Sequence, residues 1–160
     1  MFKVGFSKDI HKLKSGKGFM LGSFFIECKK TVDAYSDGDV IWHSLTEALL
    51  GAMGLEDLGT YYKPEFYVRG FDSIIMIKET LEKLKKRNYR ISNIDITIQL
   101  DEPSLKETKK LIKQNMAKIL EISENDISLK ATTSEGTLLN SIVCYSSVLI
   151  YKEEKKNEKI

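Results

Sequence analysis

The segment from Ser36 to Gly54 restricts the possible folds more than any other part of the chain. Its Ser-Asp-Gly start is typical of a turn, Asp39 can cap the helix that follows, and Gly54 can end it. The apolar residues of this predicted helix are Val40, Ile41, Trp42, Leu45, Ala48, Leu49, Leu50 and Met53. They cover more than one side of a helix, so the rest of the chain must enclose it.

Strand patterns predict the layer that encloses this helix. Apolar residues alternate with others from Phe2 to Phe6, which predicts a half-buried strand. The stretch 19–28 is also typical of β-structure and is interrupted at Gly22-Ser23, where a bulge or hairpin is predicted. Further strands are predicted at 94–100, 127–131 and 142–151. The last of these is apolar at successive positions, as in a central strand covered on both faces.

Two more helices are predicted, at about 72–87 and 105–119, whereas residues 55–70 lack periodicity and are predicted to form a loop. The resulting order, β-β-α-α-β-α-β-β, indicates the α+β class, with a sheet that carries its helices on one face. We interpret residues 1–152 as a single domain and residues 153–160 as a charged, frayed tail.

Composition excludes several classes of protein. With 160 residues, 42% hydrophobic and 30% charged, the chain can build an ordered core. A net charge of +2 argues against a nucleic-acid partner. No apolar run reaches the roughly 20 residues of a membrane span, and no signal-peptide pattern is present, so we expect no membrane association. Cys28 and Cys144 are interpreted as free thiols in a reducing compartment, the cytoplasm.

Asp9, His11 and His43 are candidate ligands of a metal ion. Asp9 and His11 lie two residues apart, just past the first predicted strand, so in extended backbone they point to the same side. His43 lies on the predicted helix, one turn beyond Asp39. One Asp and two His suit Zn²⁺ and leave a fourth position for a substrate oxygen. Taken alone, the residues favour the alternative of a chance Asp-x-His pair and a packed core histidine.

The segment 130–136, Lys-Ala-Thr-Thr-Ser-Glu-Gly, groups three hydroxyls with a carboxylate after a predicted strand. Such a turn can donate hydrogen bonds to phosphate oxygens, and Glu135 can hold Mg²⁺ or Mn²⁺. The alternative, which composition alone favours, is a turn whose hydroxyls bond their own backbone. In a third stretch, Asp57 can either bind sugar hydroxyls or end the preceding helix.

These motifs follow one another in an order that points to a single family. D-x-H is followed by S-D-G-D-V-x-x-H-x-L-T-x-A-L-L-G-A, D-L-G, G-x-D-S, N-I-D-I-T-I and K-A-T-T-S-E. Over nearly the whole chain this order resembles the 2-C-methyl-D-erythritol 2,4-cyclodiphosphate synthase family of the non-mevalonate isoprenoid pathway. The resemblance implies a ferredoxin-like subunit in a homotrimer, with three active sites between neighbouring subunits.

The resemblance also implies roles for individual residues. The metal ligands it implies are Asp9, His11 and His43 for Zn²⁺ and Glu135 for a second divalent cation, Mg²⁺ or Mn²⁺. The catalytic residues it implies are Thr133, which matches the position that steadies the transition state, and Tyr35, which stands where the family usually has histidine. The substrate-binding residues it implies are Asp9, His11, Tyr35, Ser36, Asp57, Gly59, Ala131, Thr132, Thr133, Ser134 and Glu135.

The implied substrate is 4-diphosphocytidyl-2-C-methyl-D-erythritol 2-phosphate. Its 2-phosphate attacks the β-phosphorus, closes a cyclic diphosphate and expels CMP. Because attacker and target are both anionic, two divalent cations lower the barrier by reducing charge repulsion.

The chain departs from the family pattern around the nucleotide. Tyr35 replaces histidine, and residues 100–105 carry two acids where the family has A-x-A-P-K-M, although Lys106 could restore the charge. The segment after Glu135 is shorter than in the family and has no arginine. An alternative is therefore a non-catalytic relative that keeps the trimer and the metal site as a binding or structural module. The presence of all three metal ligands favours the enzyme.

Overall fold

Five strands form the main sheet of the computed structural model, which describes residues 1–153 apart from the side chain of Pro64. They are β1 (Phe2–Ser15), β4 (Lys30–Asp33), β5 (Tyr89–Gln99), β6 (Ile127–Thr132) and β7 (Ser141–Lys152), in the order β4-β1-β7-β5-β6. β5 and β6 are parallel, and the other neighbouring pairs are antiparallel. Two short strands, β2 (Phe19–Leu21) and β3 (Phe24–Ile26), form the predicted hairpin around Gly22 and Ser23.

The helices of the described chain are α1 (Val40–Ala52), α2 (Leu58–Tyr61), α3 (Ile74–Lys86) and α4 (Lys109–Leu120), with 3₁₀ turns at Pro64–Phe66 and Glu124–Asp126. As predicted, Asp39 caps α1 by accepting the backbone N–H groups of Ile41 and Trp42, and Gly54 follows its end with a φ of 70°. Buried residues of α1, α3 and α4 share one core with the sheet. The prediction of a mixed α+β fold is therefore confirmed.

None of the helices within residues 1–153 has the length and apolar character needed to cross a membrane. Residues 154–160 of the predicted tail lie outside the described part of the chain.

The chain between α1 and α3 is more ordered than predicted. The carboxylate of Asp57 accepts the backbone N–H of Thr60 and so caps α2, which makes the prediction of a loop wrong at Leu58–Tyr61. Four residues are too few to leave a periodic pattern in the sequence. For the same reason β4, a short edge strand paired with the end of β1, is not predicted.

β1 alternates as predicted, but the apolar residues of its first half lie on the face away from the helices, whereas Leu13 near its end is buried in the core. Phe2, Val4 and Phe6 are 67–69% exposed, whereas Gly5 is buried. The reason is the close approach of α1, because a Cβ atom on Gly5 would lie 1.8 Å from the carbonyl oxygen of Ala48. The helix-facing row must therefore hold small side chains here, and the apolar row of β1 faces outward.

Candidate metal centre

β1 and α1 bring Asp9, His11 and His43 together, and these three residues are called the metal centre below. Asp9 and His11 lie within β1, not past its end as predicted, and they share the side that faces α1. Asp9 Oδ2 lies 3.0 Å from His11 Nε2 and 3.0 Å from His43 Nδ1. The two ring nitrogens are 2.9 Å apart, so the three atoms form a nearly equilateral triangle.

These donors fit a tetrahedral divalent cation. With Zn²⁺–ligand distances of ~2.0–2.1 Å, tetrahedral ligands lie ~3.3–3.4 Å apart, so each pair needs to separate by only a few tenths of an ångström. Burial raises the pKa of Asp9, but hydrogen bonds and positive charge from His11 and His43 outweigh burial and hold that pKa well below its ordinary value. Asp9 is therefore ionised at neutral pH, the form in which a carboxylate binds a metal.

Two serines contact the other side of the His43 ring. Nε2 of His43 lies 3.0 Å from Ser36 Oγ and 2.9 Å from Ser73 Oγ. Ser36 has a predicted role as a substrate contact and is placed beside the metal centre. Ser73 has no predicted role, because it falls in the first turn of the helix predicted at about 72–87, where a serine is common. Its contact with His43 joins positions 30 residues apart, so no local pattern reveals it. The one sequence signal at Ser73 is its place in the G-x-D-S motif.

The predicted phosphate-binding turn follows β6. Thr133 Oγ1 donates a hydrogen bond of 2.8 Å to Glu135 Oε1. The backbone N–H and the hydroxyl of Ser134 each donate to the carboxylate of Asp101 at 2.5 Å. These two hydrogen bonds lower the pKa of Asp101. Asp101 thus fixes the turn to the segment after β5, a role that the sequence pattern does not reveal.

An open pocket of about 550 Å³ lies beside this turn. Its lining residues are Lys30, Asp101, Glu102, Thr133, Glu135, Gly136, Leu139 and Asn140. Lys30 contributes an ammonium group, which donates to the Leu139 carbonyl at 3.1 Å, whereas Lys106 does not line the pocket.

A single chain does not bring all the predicted site residues together. Within residues 1–153, the His, Cys, Asp and Glu side chains that converge closely enough to share a metal ion are those of the metal centre. Glu135 is not among them. Asp57 caps α2, and Gly59 lies within that short helix. The phenol of Tyr35 donates to the Tyr67 carbonyl at 2.8 Å. The predicted residues therefore form separate groups at the metal centre, the turn after β6 and α2.

Comparisons with known proteins bear on the family and the fold of the chain. The chain matches the YgbB family over residues 2–151. It is 38% identical to 2-C-methyl-D-erythritol 2,4-cyclodiphosphate synthase of Bacteroides thetaiotaomicron, over 94% of this chain and 98% of that relative. The solved CDP complex of IspF from Plasmodium falciparum matches with a TM-score of 0.84 and 31% identity, over 96% of this chain and 97% of that one. A CDP-bound 2C-methyl-D-erythritol-2,4-cyclodiphosphate synthase matches with a TM-score of 0.88 and 28% identity, over 93% and 100% of the two chains.

Proposed function

The chain belongs to the YgbB family of cyclodiphosphate synthases and is a lyase-type enzyme, and we propose that it cyclises 4-diphosphocytidyl-2-C-methyl-D-erythritol 2-phosphate. An oxygen of the 2-phosphate attacks the β-phosphorus, and the bond from that phosphorus to the oxygen of the α-phosphate breaks. The products are 2-C-methyl-D-erythritol 2,4-cyclodiphosphate and CMP. The comparisons give no support to the alternative of a non-catalytic relative.

The observation that carries this proposal is the triangle of ligand atoms at the metal centre. The reaction joins two anionic phosphates, so charge repulsion is its main obstacle. Asp9, His11 and His43 offer three ligands to Zn²⁺ and leave an open position toward the substrate. A divalent cation at this centre would neutralise phosphate charge and polarise a phosphoryl oxygen. The CDP found in solved relatives supports a cytidyl diphosphate as the other part of the substrate.

The remaining residues bind and orient the substrate in this proposal. Ser36, beside His43, donates a hydrogen bond from its hydroxyl to a substrate phosphate. Tyr35 can donate another from its phenol once its hydrogen bond to the Tyr67 carbonyl is broken. Thr133 donates to the phosphate on which charge develops, and Glu135 offers its carboxylate to a second divalent cation, Mg²⁺ or Mn²⁺. The other proposed substrate contacts are Asp57, Gly59, Ala131, Thr132 and Ser134. No general base is needed, because the attacking phosphate is already an anion.

We also propose a homotrimer whose three sites lie between neighbouring chains. One support is the outward face of β1, where Phe2, Val4, Phe6 and Ile10 are 46–69% exposed. An apolar strip of this kind is typical of a protein–protein interface. The second support is the separation of the metal centre from Glu135 within one chain, which a neighbouring copy could bridge.

A CMP-release assay tests the proposed function. The full chain receives the diphosphocytidyl substrate with Zn²⁺ and Mg²⁺, before and after treatment with a chelator, and CMP is measured by chromatography. We expect metal-dependent release that Asp9→Asn abolishes, together with loss of about one Zn²⁺ per chain by elemental analysis. The matched control is Asp33→Asn, which removes another strand carboxylate. Asp33 is not part of the metal centre, and its Oδ1 lies 2.8 Å from Lys14 Nζ.

Asp33→Asn should keep both the metal and the activity. CMP release that persists after complete metal removal, or Asp9→Asn with wild-type zinc and turnover, would contradict the proposal.

A further inference from the structure

The edge of the His43 ring that faces away from Asp9 and His11 contacts Ser73, a residue for which the sequence predicts no role. Nδ1 of His43 faces Asp9 and His11, whereas Nε2 lies 2.9 Å from Ser73 Oγ. Ser73 is fully buried. Its hydroxyl is therefore shielded from water and depends on protein partners.

The hydrogen-bond partners of Ser73 determine which way its proton points. Ser73 Oγ donates a hydrogen bond to Asp37 Oδ1, whereas its contact with Ser36 Oγ, at 3.4 Å, is longer and weaker. A carboxylate can only accept, so the hydroxyl proton lies toward Asp37, and the oxygen lone pairs remain for His43. Nε2 of His43 must then be the donor to Ser73. Its hydrogen stays on Nε2, and the lone pair of Nδ1 is presented to the metal.

Asp37 is itself fixed, so the arrangement is stiff. Its Oδ1 accepts the backbone N–H of Asp39 at 3.1 Å, and its Oδ2 accepts the N–H of Ser73 at 3.2 Å. Ser73 also occupies the N-cap position of α3, where serine normally bonds a backbone N–H of the first turn. It makes no such bond. The hydroxyl is therefore used for His43 and Asp37 and not for the helix.

We infer that Ser73, oriented by Asp37, is a positioning residue that fixes the Nε2–H tautomer of His43 for metal binding. The inference rests on the proposed function only in treating Asp9, His11 and His43 as a metal site. It also has a consequence for Ser36, whose Oγ accepts the N–H of Gly38 at 3.0 Å. Because Nε2 of His43 carries its hydrogen, it cannot accept a hydrogen bond from Ser36. The Ser36 proton is therefore available to a substrate phosphate.

The test compares Ser73→Ala with Thr80→Ala by metal binding in the absence of substrate. Thr80 is an equally buried hydroxyl residue of α3, and its Oγ1 contacts the Tyr62 hydroxyl at 3.4 Å, away from His43. Zn²⁺ affinity is measured by competition with a chromophoric chelator, and ligand geometry by the visible spectrum of the Co²⁺-loaded chain. We expect Ser73→Ala to weaken Zn²⁺ binding by about 10–100-fold and to shift the Co²⁺ bands.

Thr80→Ala should keep the wild-type affinity and spectrum. Asp37→Asn is the second variant, because its amide can donate to Ser73 Oγ and release the serine proton toward His43. We expect Asp37→Asn to weaken Zn²⁺ binding, as Ser73→Ala does.

Two results would overturn the inference: wild-type affinity and spectrum in Ser73→Ala, or an equal loss in Thr80→Ala. Failure of the proposed function is seen separately. A wild-type chain that binds Zn²⁺ with the expected Ser73 dependence but releases no CMP contradicts only the proposed reaction.

Discussion

Asp101 holds the turn after β6, in which the proposed substrate-binding residues Thr133 and Glu135 lie. Its carboxylate accepts both the N–H and the hydroxyl of Ser134, between Thr133 and Glu135. From the sequence alone, Asp101 is an additional negative charge that should repel a diphosphate. In the structure that charge is engaged by Ser134, which lowers the pKa of Asp101. The two effects oppose each other, and substitution can separate them.

We expect Asp101→Ala to raise KM for the diphosphocytidyl substrate more than it lowers kcat. Without this carboxylate the turn loses its anchor to the segment after β5, so an increase in KM of roughly severalfold is expected. Asp101→Asn is the matched variant, because its amide can still bond Ser134 but carries no charge. It should change KM less. A lower KM in both variants, measured by steady-state CMP release, would show that repulsion outweighs the positioning of the turn.

At the scale of elements, the distance between α1 and β1 determines the metal centre, because Asp9 and His11 lie on one element and His43 on the other. That distance is set at Gly5, where a Cβ atom would lie 1.8 Å from the Ala48 carbonyl oxygen. Any larger residue must push the helix away from the strand.

We expect Gly5→Ala to destabilise the chain by about 1–3 kcal/mol, as overpacking typically does, and to weaken Zn²⁺ binding. Gly51→Ala is the control, because Gly51 lies on α1, as Ala48 does, and a Cβ atom there meets nothing within 4 Å. It should be neutral or stabilising by up to about 1 kcal/mol. Urea unfolding at equal chain concentration measures both variants. An unchanged midpoint for Gly5→Ala would show that the helix yields without cost.

The elements differ in how far the sequence predicts them. α1 is predicted well because its cap, its apolar sides and the glycine after it are local signals. The buried face of β1 is not predictable, since alternation gives the period of a strand but not its direction. The candidate metal ligands are suggested by their spacing, but only the family resemblance favours them over a chance pair and a packed histidine. The roles of Ser73 and Asp101 do not, because each depends on a contact between segments that are far apart in sequence.

The outward face of the sheet is the main feature at the scale of the whole molecule. Val4 pairs with Leu149 of β7, and Phe6 pairs with Ser147, so the exposed row of β1 continues onto the central strand. No helix of the described chain covers Val4 or Phe6, which are 69% and 67% exposed. The proposed trimer would bury this face and unite the separate parts of the site.

We expect Phe6→Asp to convert the trimer to monomers at micromolar concentration, because a buried unpaired charge would oppose association. CMP release should fall with the loss of the neighbouring chain. Leu111→Asp, at a 47% exposed position on α4, is the control and should leave both unchanged. Light scattering measures the assembly. A wild-type chain that is monomeric and fully active would refute the trimer.

The most direct test of the account is ³¹P NMR of the products made by the metal-loaded wild-type chain, with CMP measured in the same sample. Cyclisation predicts one CMP for each product molecule, and a product whose two phosphorus atoms couple to each other as a diphosphate. Attack by water on the β-phosphorus would instead give CMP and a product with two phosphate monoesters. That product, or substrate left unchanged, would contradict the proposed reaction.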